Sequence, residues 1–480
     1  MNTTVISSFR PHALALACAV ACLASGCAVG PAYQVPATAH PARFKETPAD
    51  ADKAAAGWGP AAPADALERG PWWTLFGDAT LNQLADSIEV NNQNVAAAVA
   101  AYAQARALVS EQRASLFPVV DLNGSATRSG GGGAAGTGNQ YRVNIGGSWE
   151  PDVWGKLRAG VSGAQAGAAA SAADLAAARL SAQGELASNY FSLRQTDAQK
   201  ALLDATVDGY QRVLAITQNR FNAGVAAKSD LLQAQTQLAN ARADQVGLVR
   251  QRAQLEHAIA VLLGKAASDY TLAPAPWQGT VPDVPTGLPS TLLERRPDIA
   301  AAERRVAQAN EQIGIARGAY FPSLNLTGSY GFGASQVGGL FNASNNLWSL
   351  GLSAAQTLFD AGATRARVNG AEAGRDAAIA RYRQTVLAAF ADVEDQLAAT
   401  RTLAQQQALR RAASEAADQV ELQMVNRYRA GQVSYTEVVT AQNTALAARR
   451  ALVQAQADRQ TTAVALIQSL GGGWHVPASQ

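Results

Sequence analysis

Thiols are nearly missing from this chain of 480 residues: its only cysteines are Cys18, Cys22 and Cys27. No disulfide is available beyond residue 27, so stability has to come from packing alone. Methionine is as scarce, and Met424 alone follows the initiator, which argues against a methionine relay for Cu(I). The four histidines, His12, His40, His257 and His475, are widely spaced and form no metal-ligand pattern. A formal net charge of +2 offers no polybasic surface for nucleic acid or for a membrane. Long apolar runs are absent too. The Ala-rich stretch 163–180 comes closest, but Asp174 and Arg179 interrupt it, so no transmembrane helix is expected.

The N-terminus shows what the cysteines are for. Arg10 precedes an apolar run from Ala13 to Ala24 that is too short to span a bilayer core of about 30 Å, and Ala24, Ser25 and Gly26 follow with small side chains. That is the layout of a secretory signal peptide. "LASGC" at 23–27 resembles the lipobox of bacterial lipoproteins, although Ala24 stands where leucine is commoner. The resemblance implies cleavage before Cys27, which then carries the covalent lipid as the first mature residue, and Cys18 and Cys22 leave with residues 1–26. A signal peptide cleaved elsewhere is the alternative. Ala28, in place of an aspartate that resembles an inner-membrane retention signal, favours the outer membrane.

Abundant alanine, with frequent Gln and Arg, favours long helices. The chain also repeats itself. "RFNAG" from Arg220 answers "RYRAG" from Arg427, 207 positions on, and the same offset pairs Gly224 with Gly431, Asp230 with Glu437 and Gln235 with Gln442. Upstream, "SLFPVVDLNGS" (115–125) answers "AYFPSLNLTGS" (319–329). The period is far above that of solenoid repeats, so the chain is a duplicated domain, with halves over 72–264 and 292–471.

Each half has the same order of parts. A helical segment stops at Phe117-Pro118 or Phe321-Pro322. Alternating segments follow, predicting strands at about 119–128 and 141–150, and again at about 323–333 and 346–356. Asp121, Asn123, Ser125 and Thr127 oppose Val120, Leu122 and Ala126; Tyr141, Val143, Ile145 and Trp149 oppose Arg142, Asn144, Ser148 and Glu150. In the second half Ser323, Asn325, Thr327 and Ser329 oppose Leu324, Leu326, Tyr330 and Phe332, and Trp348, Leu350 and Leu352 mark the return strand. Very long helices are predicted over about 156–221 and 362–429, each reaching roughly 100 Å at 1.5 Å per residue. Gly224 and Gly431 end them, and helices of about 35 residues return. Ser229 with Asp230, and Thr436 with Glu437, are expected to cap the returning helices.

Ten-residue strands with one apolar and one polar face are the pattern of an outer-membrane barrel. Four strands per chain are too few. An open sheet in lipid leaves edge N–H and C=O groups unpaired, so several chains must share one barrel.

"CAVGPAYQVP", "WWTLFGDATLNQLADSIEVNNQNV", "LLERRPDIAAAERRVAQANEQIGIARGAYFPSL" and the paired "RFNAG" and "RYRAG" turns closely resemble the outer-membrane factors of tripartite efflux pumps. Within them the chain resembles the lipoprotein branch serving resistance-nodulation-division (RND) transporters. The resemblance covers nearly the whole mature chain. It implies a mostly α fold with a membrane β-barrel: a homotrimer with a 12-stranded barrel and a long α-helical barrel, joining outer-membrane lipid to the periplasm. It implies an equatorial region from about 27–71, 265–291 and the tail 472–480. Its implied partners are a periplasmic adaptor and an RND-type inner-membrane transporter, with no nucleic acid and no cofactor other than the Cys27 lipid. It also places a periplasmic constriction near the two helical turns, with Asp418, Glu421, Arg427 and Tyr428 as gate candidates. Related channels often carry an acid two places before the Arg-Tyr-Arg run, where this chain has Val425. Arg220, Gly224, Asp230, Arg427, Gly431 and Glu437 mark the tips where an adaptor would dock.

Catalytic chemistry finds no support in the motifs. Gly131, Gly133 and Gly136 form a G-x-G-x-x-G, but a strand rather than a helix follows, so no dinucleotide site is expected. Glu294, Arg295, Arg296 and Asp298 read as a helix start with Pro297 in its first turn. The reading is a passive exit duct and not an enzyme. Its rivals are a duct of the same fold for protein secretion or metal-ion export, and a non-conducting lipoprotein tether.

Overall fold

The structure is a computed structural model that describes residues 29–38, 41, 43–46, 70–130, 138–277, 279–282, 284 and 295–472. The expected signal peptide, Cys27, the glycine loop at 131–137 and the tail after 472 lie outside the described residues, as do 47–69 and 285–294.

Along the chain come α1 (Ala79–Asn91), α2 (Gln93–Ala114), β1 (Val119–Ser129), β2 (Gly138–Trp149), α3 (Lys156–Asn222) and α4 (Lys228–Leu262). The second half brings α5 (Pro297–Gly318), β3 (Ser323–Ala334), β4 (Asn346–Ala355), α6 (Ala363–Arg429) and α7 (Tyr435–Ser469). The duplication holds to the residue: α2 and α5 are both 22 residues long, α3 and α6 both 67, α4 and α7 both 35.

Two compact units result. The described parts of Met1–Ala37, Ala101–Ala172 and Ala301–Arg383 form one, which holds the strands. Those of Thr38–Ala100, Ala173–Ala300 and Gln384–Gln480 form the other, which is helical.

In the strand unit, β1-β2-β3-β4 make one antiparallel sheet in chain order. Its register aligns Leu122, Ile145, Tyr330 and Trp348 in a row across all four strands. Strand β2 starts at Gly138, ahead of the alternation from Tyr141, because its pairing with β1 runs on to the Ser129–Gly138 pair. Trp154 fixes the base of the sheet: its indole N–H donates to the Pro322 carbonyl (2.7 Å) and its ring stacks on Phe321.

In the helical unit, Leu203, Val207 and Tyr210 of α3 pack against Leu238 and Ala241 of α4. At the first-half entrance, Trp72, Phe76, Tyr190 and Phe191 are buried, and the Tyr190 hydroxyl donates to Asp78 (2.7 Å). Burial first, and then that carboxylate, push the Tyr190 phenol up to about 12.

The duplicated helix ends are solved by different residues in the same place. Asn92 donates through its side chain to the Leu262 carbonyl at the end of α4 (2.8 Å). Arg296 does the same for Ser469 at the end of α7 (3.1 Å), while also pairing with Asp298 and Asp392. Arg296, with Asp298 and Asp392, is thus a structural clamp around a helix terminus, while Glu294 of the expected cluster lies outside the described residues.

Two expected caps are corrected. Helices α4 and α7 begin at Lys228 and Tyr435, so Ser229 and Thr436 are the second helical residues and cap nothing. Ala227 occupies the first N-cap without a side-chain bond, and Ser434 occupies the second. Glu437 keeps a capping role from the third position: its carboxylate accepts from the Ser434 N–H (2.8 Å) and hydroxyl (3.0 Å).

Candidate functional site

Side chains at aligned positions of paired strands project from one face of a sheet. One face of this sheet therefore carries Val120, Leu122, Val143, Ile145, Leu326, Tyr330, Phe332, Trp348, Leu350 and Leu352. The other carries Asp121, Asn123, Ser125, Arg142, Asn144, Thr327, Ser329, Ser349 and Ser353. In a water-soluble sheet the apolar face would be the covered one. Here Trp348 and Leu350 are each 74% exposed, Leu122 73% and Leu352 70%. Such an exposed apolar band over strands of 10–12 residues matches a bilayer's hydrocarbon. Among the described residues β1 pairs only with β2, and β4 only with β3, so each has an unpaired edge. Lipid does not tolerate such edges. No described helix is long and apolar enough to cross a membrane.

In the helical unit the two turns share one backbone. Gly224 and Gly431 adopt φ of +75° and +74°, a left-handed conformation that glycine adopts without a Cβ clash. Around them Val225 N–H bonds the Arg220 carbonyl (2.8 Å), and Gln432 N–H bonds that of Arg427 (2.9 Å). Gly224 N–H bonds Phe221, and Gly431 N–H bonds Tyr428, both at 2.9 Å. These are paired Schellman ends.

The side chains at the turns differ. Tyr428 is 3% exposed, packed with Tyr435, Val438, Val213 and Ala234. Its hydroxyl lies 3.3 Å from that of Thr217, and the Arg220 guanidinium stands 4.7 Å over its ring. Arg220 also donates to the Tyr428 carbonyl (2.7 Å), so the first turn is fastened to the second. Burial, followed by the neighbouring Tyr428, raises the Tyr435 phenol well above its ordinary value. Asp418 and Glu421 lie side by side on α6, each 2.7 Å from Arg449 of α7. They line a cavity of about 490 Å³ with Tyr210, Arg212, Arg429 and Gln442. The Arg427 side chain makes no hydrogen bond or salt bridge among the described residues and acts on Glu437 through its charge alone. The Ser434 bonds first, and Arg427 after them, hold the Glu437 carboxyl below the usual carboxylate range. Asp230 lies in the first turn of α4, beside Ser229.

The structure thus brings Asp418 with Glu421, and Arg220 with Tyr428, but places no common contact among all four gate candidates. Arg449, Thr217 and Tyr435 join the site without any signal in the repeat motif, because their partners lie on other helices. No group of three or more His, Cys, Asp or Glu side chains suited to a metal occurs among the described residues.

The profile of a family described as "Outer membrane efflux protein" matches residues 84–265 and 288–472. The chain belongs to the outer membrane efflux protein family. Among its relatives, "Solvent efflux pump outer membrane protein SrpC" of Pseudomonas putida is 32% identical over 84% of this chain and 87% of that protein. "Outer membrane protein OprJ" of Pseudomonas aeruginosa is 31% identical over 95% of both. Among solved structures, the outer-membrane channel OprN superposes with a TM-score of 0.84 at 31% identity, covering 93% of this chain and 100% of that one. The open state of the Neisseria gonorrhoeae MtrE channel gives 0.80 at 27%, covering 93% and 98%. Family membership makes this chain an outer-membrane component of efflux, built as a trimeric α-helical barrel with a membrane sheet.

Proposed function

We propose that three copies of this chain form a passive duct through which small toxic compounds, organic solvents and antibiotics among them, leave the cell. Three four-stranded sheets pair edge to edge into one 12-stranded barrel, the apolar face toward lipid and the polar face toward the bore. The observation that carries this reading is the exposed row Leu122–Ile145–Tyr330–Trp348 in a sheet with two unpaired edges. Closure removes both edges at once.

The helical unit forms the periplasmic part, its four α3, α4, α6 and α7 columns repeated threefold. Energy comes from an RND-type transporter, through an adaptor that docks at the tips around Arg220, Gly224, Asp230, Arg427, Gly431 and Glu437. Cys27 carries the lipid anchor after removal of residues 1–26. The protein performs no catalysis and holds no cofactor. The resting duct narrows at the level of Asp418, Glu421, Arg427 and Tyr428, with Arg449 holding the acidic pair in place. The solvent-efflux relative supports the cargo class, and the polar face of the sheet supports weak selectivity.

Single-channel conductance in planar bilayers tests this directly. Wild type is expected to conduct little, and Asp418→Ala and Glu421→Ala to conduct more. No conductance in any variant, with the oligomer intact, would return the chain to the tether reading.

A further inference from the structure

The duplication lets one half of the chain report on contacts the other half lacks. In the helical unit, the end of α3 and the start of α4 form a groove, and α6 and α7 form its counterpart. The first groove is filled from within the chain: Tyr428 and Tyr435 pack on Val213 and Ala234, and the Tyr428 hydroxyl meets Thr217. Shifting by the 207-residue offset, the second groove has Val420 for Val213, Ala441 for Ala234 and Met424 for Thr217. Those three residues line an open cavity of about 390 Å³ together with Ala417, Thr440 and Thr444. Nothing among the described residues fills it, and Val420 is 47% exposed.

The same offset names the missing occupant. Tyr428 corresponds to Phe221, which is only half-buried, and Arg220, which fastens Tyr428, corresponds to Arg427, whose side chain has no bonding partner among the described residues. We infer that Phe221 of a second copy of this chain inserts between α6 and α7 against Met424, with Arg427 over its ring and bonded to its carbonyl. The inference rests on the trimeric reading above and specifies its periplasmic interface. A ring closed by one repeated contact requires such complementary, non-identical patches on each subunit.

Two paired changes in the sequence support it. Where the contact is internal, the residues are Tyr428 and Thr217, two hydroxyls within hydrogen-bonding reach. Where it would join two copies, both members change together, to Phe221 and Met424, an aromatic ring and a thioether that attract each other without a hydroxyl to satisfy. A tyrosine against Met424 would instead leave its buried hydroxyl unpaired, whereas the Thr217 hydroxyl that meets Tyr428 is also bonded to the Val213 carbonyl of its own helix (3.0 Å). The second pair lies along α4 and α7. Arg450 bonds Asp244 inside the chain at 2.8 Å. Their counterparts are Ala243 and Ala451, so the equivalent contact between copies loses both charges and strands neither. Arg427 keeps the role of Arg220, because a carbonyl and an aromatic face are present in both settings.

The test places the photocross-linker p-benzoylphenylalanine at position 221 of the full-length protein, in membranes, and in parallel at position 428. Irradiation at 221 is expected to join chains into covalent dimers and trimers, with the linked peptide containing Met424. Irradiation at 428 should link only within a chain, to the peptide containing Thr217. Links from 221 within its own chain, to another protein, or to none, while the 428 probe reacts, would overturn the inference. Native mass on the same samples separates the two readings: a trimer without the 221–424 link refutes this interface alone, and a monomer refutes the duct as well. As a second readout, Phe221→Tyr and Met424→Thr should each lower the temperature at which the trimer dissociates, and the double variant should recover it. Additive losses with no recovery would also overturn the inference.

Discussion

The turn after α3 and the turn after α6 share a length, a Schellman hydrogen-bond pattern and a left-handed glycine, yet their equivalent arginines differ. Arg220 spends its guanidinium on Tyr428, while Arg427 has no hydrogen-bonding partner among the described residues. The second half alone holds the Asp418–Glu421–Arg449 clamp, for its first-half counterparts are Gln211, Leu214 and Arg242. Duplication preserved the backbone because helix ends must satisfy their carbonyls wherever they occur. It released the side chains, because each half meets a different neighbour. A single-chain protein made of two such halves has one internal junction. A ring made of three such chains needs a second kind, and the open groove between α6 and α7, with Arg427 beside it, supplies it.

Breaking the fastened junction should have the largest effect. Tyr428→Ala empties a buried aromatic site and is expected to cost about 3–5 kcal/mol in the helical unit. Thermal unfolding followed by circular dichroism would read this, and a cost below that of Phe221→Ala in the dissociated chain would contradict the asymmetry. Next comes the clamp. Arg449→Ala leaves two adjacent carboxylates unpaired on α6, in partly exposed positions where each ion pair contributes on the order of 1 kcal/mol. Stability should fall modestly, while conductance should rise more than in Arg450→Ala; equal conductance in the two variants would separate the clamp from the gate.

The backbone supplies the control in which the halves behave alike. Gly224→Ala and Gly431→Ala each force a Cβ into positive φ, at about 1–2 kcal/mol by the sterics of the left-handed region. Unequal losses would show that the turns are not equivalent in backbone after all.

The smallest expected effect is titration of Glu437. Its folded pKa is depressed, chiefly by the Ser434 bonds, so the stabilisation is present above the ordinary carboxylate pKa. It is lost as pH falls through the folded value. Amide exchange at Ser434 should accelerate in acid, and that acceleration should vanish in Glu437→Gln. The first turn, with Ala227 at its N-cap, should show no such step.

Much of this was legible in the sequence. Alternation at 119–128 and 323–333 placed the polar and apolar faces, because side-chain period in a strand depends on the backbone alone. The duplication located both glycine turns for the same reason. Ser229 and Thr436 fall two residues past the true N-caps while Glu437 keeps its capping role, since serine and threonine resemble caps in composition and only the start of each helix decides their position. Arg449 stayed hidden because its acids lie 28 and 31 positions away on another helix, at no spacing that a motif records. Arg220 gave no sign of its partner either: a contact between repeats depends on packing and leaves no local pattern.

Native mass spectrometry of the detergent-extracted protein is the most direct test of the central claim, that open sheets from several chains close one barrel. The account predicts a complex of three chains, because a barrel without edges is the form in which every strand of this sheet is paired. A stable, folded single chain with the same exposed apolar face would contradict it.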